Sequence, residues 1–130
     1  MELMCHCGNV KIRVANPPTT LTSCNCSICH RYGALWGYYS PDEVQLTFIA
    51  DSLGTSMPSA KPYRFGDECI EFFHCQKCGC LTHYLTTDKV LEPKYGINFR
   101  MAPRAEVAEI QVRHFDGADS WTFWTSTSNY

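Results

Sequence analysis

Three observations predict that the sequence forms a single, β-dominated domain. Its 130 residues are close to the usual size of one domain. Short runs of β-branched and aromatic residues recur along the chain, with turn residues between them. Only one short segment favours a helix, so strands must supply most of the regular structure.

The first half of the chain contains three predicted strands. Residues 9–14 alternate polar and apolar side chains, as a half-buried strand does. Residues 34–40 and 44–49 are rich in aromatic and β-branched side chains, and a Pro-Asp turn separates them. The Gly, Ser and Pro content of residues 51–62 predicts a loop.

The second half continues with short strands and closes on a polar tail. The predicted strands lie at 63–65, 69–75, 81–85 and 110–115. A hairpin turn is predicted at 66–68, and Pro103 favours the first turn of one short helix. Residues 124–130 are expected to be frayed.

Charge and hydropathy exclude several function classes. The net charge is −2 and only 18% of the residues are charged, so no broad basic surface for nucleic acid is expected. No apolar run approaches the roughly 18 residues of a membrane span. The first ten residues show no basic, apolar pattern of a signal peptide. These features predict a cytoplasmic protein that binds neither nucleic acid nor membranes.

Nine cysteines, grouped in tight clusters, are the main chemical feature of the sequence. Three clusters hold all of them except Cys69, namely Cys5/Cys7, Cys24/Cys26/Cys29 and Cys75/Cys78/Cys80. Neighbours one or two residues apart form strained disulfides but good chelates. The spacing therefore predicts metal binding, and thiolate-rich tetrahedral sites favour zinc.

Two of the clusters are predicted to form one structural metal site. Cys5 and Cys7 lie in a C-x-C-G motif, and Cys75 and Cys78 lie in a C-x-x-C-G motif. A glycine after each pair allows a turn that directs backbone N–H groups at sulfur. Four thiolates would fill the coordination sphere of a zinc ion, as structural sites do.

The remaining cluster, at residues 24–29, leaves one coordination position to be filled. Cys24, Cys26 and Cys29 supply three thiolates, which is the general form of a catalytic zinc site with an open position. Cys80 is a possible fourth ligand, but it could instead be a redox-active thiol or a buried one. His30 and His83 are weaker candidates for the same position, and Cys69 is expected to lie in the core.

The order of these motifs resembles the glutathione-dependent formaldehyde-activating enzymes, also called the GFA or CENP-V-type domain family. The resemblance rests on "CHCGNV", "CNCSICHRYGALW" and "FFHCQKCGC", with further similarity in "GINFRM" and "VRHFDGADSW". It implies an Mss4-like (β-tent) fold of short antiparallel strands with two zinc ions. By position, Cys5, Cys7, Cys75 and Cys78 would hold the structural ion, and Cys24, Cys26 and Cys29 the catalytic one.

The resemblance also implies an activity, that of S-(hydroxymethyl)glutathione synthase, a carbon–sulfur lyase. The substrates would be glutathione or a similar small thiol and formaldehyde or a related aldehyde. For recognition of the thiol substrate we expect Asn98 and Arg100 to share one face of a strand. Trp36, Tyr38 and Tyr39 are candidates either for a pocket wall or for the core.

Two other function classes remain open at this point. The first is a non-catalytic, zinc-stabilised binding or scaffold module with the same fold. The second is thiol redox chemistry through Cys80 or Cys69, of the methionine-sulfoxide-reductase kind. The chain is expected to act as a monomer or a homodimer.

Overall fold

The structure, a computed structural model, describes residues 1–48 and 62–129. Within this part, ten strands form two sheets, and four short helical segments lie between strands. The fold is β-dominated, as predicted, and it is consistent with a small Mss4-like fold. The loop predicted at 51–62 lies almost wholly outside the described residues.

The smaller sheet contains three antiparallel strands in the order β1-β2-β5. They are β1 (Glu2–Met4), β2 (Val10–Val14) and β5 (Val44–Phe48). In β2 the apolar side chains of Val10, Ile12 and Val14 are buried. The alternation of the sequence therefore becomes one core face and one outer face.

The larger sheet contains seven strands in the order β10-β9-β3-β4-β8-β7-β6. Its strands are β3 (Thr20–Cys24), β4 (Trp36–Tyr39), β6 (Ile70–His74), β7 (Leu81–Thr86), β8 (Tyr95–Asn98), β9 (Gln111–Phe115) and β10 (Phe123–Asn129). All neighbouring strands are antiparallel except β3 and β9, which are parallel and place Cys24 opposite Phe115. This parallel pair departs from the all-antiparallel expectation.

Four short helical segments connect the strands. The first α-helix, α1 (Ser27–Tyr32), follows β3 at once and ends at Gly33, which has a left-handed conformation with φ of 62°. The second, α2 (Arg104–Val107), lies where Pro103 predicted a helix. Two 3-10 helices occupy Pro41–Glu43 and Phe99–Met101. None of the helices in the described part of the chain is long and apolar enough to cross a membrane.

The core is divided into a main part and a smaller part. The main part lies between the two sheets and includes Leu3, Ile12, Leu21, Ile97 and Phe99. The smaller part consists of buried side chains on the other side of the large sheet: Cys29, Ala34, Trp36, Phe72, Leu81 and Tyr84. Each part contains one of the cysteine groups.

Two expectations about the elements are wrong, and two elements were not predicted. The tail is not frayed, because residues 123–129 form β10 and pair with β9, whose edge would otherwise be unpaired. β3 and α1 were not predicted, although together they carry the second cysteine cluster. Asn98 and Arg100 do not share a strand face, since β8 ends at Asn98 and Arg100 lies in the next 3-10 helix.

Candidate metal centres

The first cysteine group consists of Cys5, Cys7, Cys75 and Cys78, whose sulfur atoms all lie within 4.8 Å of one another. The Cys7 sulfur is 3.7 Å from that of Cys5 and 3.6 Å from that of Cys75. Sulfurs that share one tetrahedral ion at about 2.3 Å are separated by roughly 3.8 Å. The four thiols therefore fit a closed metal site.

Two similar turns present these sulfurs. In the first turn the N–H of Gly8 donates to the Cys5 carbonyl, and in the second the N–H of Gly79 donates to the Cys75 carbonyl. Both glycines have positive φ, 81° and 77°, a conformation that other residues adopt at a cost. Backbone N–H groups of Val10 and Cys78 point at the sulfurs of Cys5 and Cys75. These donors stabilise thiolates.

The first group lies between the two sheets, at the boundary of the main core. Cys5 and Cys75 are only 2% and 1% exposed. Burial raises the pKa of Cys5 to about 12, whereas at Cys78 N–H groups outweigh burial and lower the pKa to about 6. The first turn follows β1 and the second follows β6, so an ion here would tie the small sheet to the large one.

The second group consists of Cys24, Cys26 and Cys29, whose sulfurs also lie within 4.8 Å of one another. Cys24 is the last residue of β3, Cys26 precedes α1 and Cys29 is buried inside that helix. The Cys26 N–H points at the Cys24 sulfur at 3.4 Å, and the indole N–H of Trp36 points at the Cys29 sulfur at 3.3 Å. A tight strand-to-helix connection thus gathers three thiols for a second ion.

The three thiols differ in how readily they ionise. Burial raises the pKa of Cys29, and the Trp36 N–H offsets this only in part. Burial also raises the pKa of Cys24. At Cys26 the backbone N–H groups of Cys29 and Ile28 outweigh burial and lower the pKa. A bound cation would be needed to keep all three as thiolates.

The second group opens on a large pocket of about 720 Å³. Its walls are mostly apolar and aromatic, with Trp36, Phe72 and Phe115 among them. Tyr38 and Tyr84 also line this pocket, and burial raises the pKa of both, to about 12 for Tyr38. Tyr39, the third aromatic residue of β4, lies in the main core instead, and its hydroxyl donates to the Asn16 carbonyl.

A smaller pocket of about 190 Å³ is also lined by Cys24 and Cys29. His30, Arg100 and His114 contribute to its lining. The Nε of Arg100 donates to the Gly33 carbonyl at 3.0 Å. Arg100 is therefore close to the second cysteine group, and its role in substrate binding stays a prediction.

Asn98 has a different role from the one expected. It is buried, its side-chain oxygen accepts from the N–H groups of Leu35 and Arg100, and its amide donates to the Leu81 carbonyl. The side chain thus joins neighbouring segments of the protein. It is not presented to a ligand.

The structure places Cys80 with the first group. Its thiol interacts with that of Cys78 and with the His6 N–H, and it packs against the main core with Cys78. Its sulfur is not among those within 4.8 Å in the second group. The hypothesis that Cys80 is the fourth ligand of the second site is not supported by this placement.

The other candidate ligands also lie outside both groups. His83 is buried, stacks on Phe73 at 4.6 Å, and burial lowers its pKa to about 4. His30 lines the smaller pocket without joining the three sulfurs. Cys69 is half-buried at the edge of the large pocket and not in the core as expected.

Sequence reasoning missed two residues that shape the second group. The Trp36 N–H directed at Cys29 depends on β4 lying beside α1, which no local pattern reveals. Gly117 is in contact with Cys24, since a Cβ on it would lie 2.6 Å from the Cys24 sulfur. An Asp-Gly pair such as that at 116–117 is typical of a turn, but it does not reveal a distant neighbour.

Comparison with known proteins yields one informative structural match. No protein-family model matches this sequence, and no curated protein matches it. The chain is similar to a crystal structure of a Rhodobacter sphaeroides protein, a structural-genomics target, with 26% identity and a TM-score of 0.63. The match covers 85% of this chain and 97% of the other. The similarity extends over most of the fold described above.

Proposed function

We propose that this protein is a zinc-dependent carbon–sulfur lyase of the GFA type, which joins a small thiol to formaldehyde or a related aldehyde. The contrast between its two cysteine groups carries the proposal. Four sulfurs, of which those of Cys5 and Cys75 are buried, can fill all four positions of a tetrahedral ion, whereas three sulfurs open on a pocket of about 720 Å³. Structural zinc sites are closed and catalytic ones keep an open position.

The donor set favours zinc at both groups. All the ligands are cysteine sulfurs, and tetrahedral thiolate sites select zinc or iron–sulfur clusters. When bound at Cys24, Cys26 and Cys29, zinc would lower the pKa of an incoming thiol and so make it nucleophilic at neutral pH.

The reaction forms one carbon–sulfur bond. The substrate sulfur attacks the carbonyl carbon, the carbonyl π-bond breaks, and the oxygen becomes a hydroxyl. The thiol loses one proton and the oxygen gains one, so no oxidant or reductant is consumed. The substrate's own sulfur is the nucleophile, and the protein holds the two reactants together.

Residues around the second group have separate tasks in this scheme. The N–H groups of Trp36 and Cys26 stabilise the protein thiolates. Tyr38 and Tyr84 line the same pocket and hydrogen-bond to each other, and their hydroxyls are protonated at neutral pH, as tyrosines normally are. In this proposal a hydroxyl of the pair donates a hydrogen bond to the developing oxyanion. The apolar walls exclude water from the reacting atoms.

Exchange NMR on the zinc-loaded protein tests the proposal. Formaldehyde is mixed with a set of thiols that includes β-mercaptoethanol, glutathione and benzyl mercaptan, and the rate of adduct exchange is measured. The proposal requires at least one thiol to exchange faster than it does spontaneously. Spontaneous rates for every thiol, with both metal sites filled, would contradict it and favour a non-catalytic binding module.

A further inference from the structure

We infer that the thiol substrate carries an uncharged apolar group, aromatic or branched aliphatic, and that the charged tripeptide glutathione is a poor substrate. The inference rests on the proposed function, because it concerns what occupies the large pocket beside the second cysteine group. It is carried by the size, lining and charge of that pocket.

The pocket is much larger than the reacting atoms require. Its volume of about 720 Å³ falls within the roughly 300–1,000 Å³ of pockets that bury whole organic ligands. Formaldehyde and a thiol group would fill only a small part of it. The substrate must therefore supply a further group to displace the remaining water.

The lining indicates the chemistry of that further group. Most of the walls away from the cysteines are aliphatic or aromatic: Ile28, Trp36, Phe65, Ile70, Phe72, Phe115 and Trp121. Phe65 and Trp121 are largely exposed in the free protein. Contact with an apolar ligand would remove their surfaces from water, which is favourable.

Charge opposes an anionic ligand in the same pocket. Three thiolates and a divalent cation leave one negative charge at the second group, and the Asp67 carboxylate also lines the pocket. The described lining residues include neither lysine nor arginine. Among the described lining residues, an anion would find no cationic partner to replace the hydration that it loses.

The arginine near the second group does not change this conclusion. Arg100 lines the smaller pocket, which also touches Cys24 and Cys29 and has a volume of about 190 Å³. That volume is below the roughly 300 Å³ at which pockets begin to enclose a whole organic ligand. It would therefore enclose only part of a tripeptide.

Binding measurements on the zinc-loaded protein test the inference. Calorimetry compares benzyl mercaptan with glutathione at one pH and ionic strength, and we expect benzyl mercaptan to bind at least about tenfold more tightly. Phe65→Ala and Trp121→Ala should each weaken the binding of benzyl mercaptan several-fold and leave the binding of glutathione unchanged. Leu91→Ala is the matched control, because Leu91 is fully exposed and lies outside the pocket lining.

A charge variant gives an independent readout. Asp67→Asn should strengthen glutathione binding and leave benzyl mercaptan unchanged, because only the anionic ligand is repelled by the carboxylate. The inference would be overturned if glutathione bound as tightly as benzyl mercaptan. It would also be overturned if Phe65→Ala and Trp121→Ala bound benzyl mercaptan as tightly as Leu91→Ala does.

The inference and the proposed function fail in different ways. Tight, Phe65-dependent binding of benzyl mercaptan without faster exchange with formaldehyde would support the inference and contradict the lyase. Faster exchange with glutathione than with benzyl mercaptan would support the lyase and contradict the inference.

Discussion

Gly117 determines whether the Cys24 sulfur can keep its position. A Cβ at residue 117 would lie 2.6 Å from that sulfur and 3.2 Å from the Cβ of Cys26. The first distance is shorter than packed atoms tolerate and the second is tight, so a side chain here must displace the Cys24 sulfur. The second group is therefore built partly by a residue that offers no ligand atom.

Gly117→Ala is expected to release the metal of the second group while the fold persists. Metal analysis should show the loss of one equivalent per chain, and circular dichroism should be unchanged. Ala118→Ser is the matched control at the neighbouring exposed position. Full metal retention by Gly117→Ala would contradict the claim that Gly117 holds the Cys24 sulfur in its metal-binding position.

Cysteine substitutions separate the two groups. Cys26→Ser should cost one metal equivalent and any activity, yet leave the fold intact, because the second group lies at the pocket wall. Cys78→Ser should unfold the domain, since the first group links the two sheets in the core. Metal content and thermal unfolding measure both effects.

Cys80→Ser is the control for these variants. Cys80 lies beside the first group without completing the second, so both metal equivalents should remain. If Cys26→Ser and Cys78→Ser unfold the protein equally, the division into structural and catalytic groups is wrong.

At the scale of elements, the Asn98 side chain ties together three neighbouring strands. Asn98 is the last residue of β8, and its side chain hydrogen-bonds to the backbone of Leu35, just before β4, and of Leu81, the first residue of β7. Removing this side chain leaves buried backbone groups without partners. The conformation that brings Arg100 to the second group depends on the same side chain.

Asn98→Ala should lower the free energy of unfolding by about 2–3 kcal/mol, the cost of leaving buried polar groups unpaired. Urea denaturation of the metal-loaded protein measures the change. Asn16→Ala serves as the control at an exposed asparagine and should change stability by less than about 0.5 kcal/mol. Equal effects of the two variants would contradict the connecting role of Asn98.

His83 in β7 should make stability depend on pH. Burial lowers its pKa from 6.5 to about 4 in the folded protein, so between these values the unfolded chain binds the proton more readily. Stability is therefore complete above the unfolded pKa and is lost as the pH falls toward the folded one. The expected loss between pH 7.5 and pH 5 is about 2 kcal/mol.

His83→Gln isolates this contribution from that of the cysteines. Its unfolding free energy, measured by urea denaturation with excess zinc, should fall less steeply over the same pH range than that of the unchanged protein. Identical pH profiles for the two proteins would show that His83 does not titrate on unfolding.

At the scale of the whole molecule, the sequence predicted features that depend on local patterns. Alternation at residues 10–14 and the aromatic run of β4 placed strands correctly. Cysteine spacing placed the members of both cysteine groups that could hold a metal ion. Each of these signals lies within a few residues, because side-chain period and chelate spacing are local properties.

Other features could not be predicted because they depend on distant contacts. β3 pairs in parallel with β9, some ninety residues away, and this pairing positions Gly117 near Cys24. β10 has the composition of a polar tail and becomes a strand by pairing with β9. The position of Cys80 likewise follows from the turn at residues 75–80, not from its spacing to Cys24.

X-ray absorption at the zinc edge, combined with metal analysis, tests the central claim most directly. We expect two zinc ions per chain, bound by the seven sulfurs of the two groups. The ion of the second group should gain one sulfur ligand when benzyl mercaptan is added. The same experiment on Cys26→Ser should show neither the second ion nor the gain. Four sulfurs at each ion before any thiol is added would contradict the claim that the second site is open.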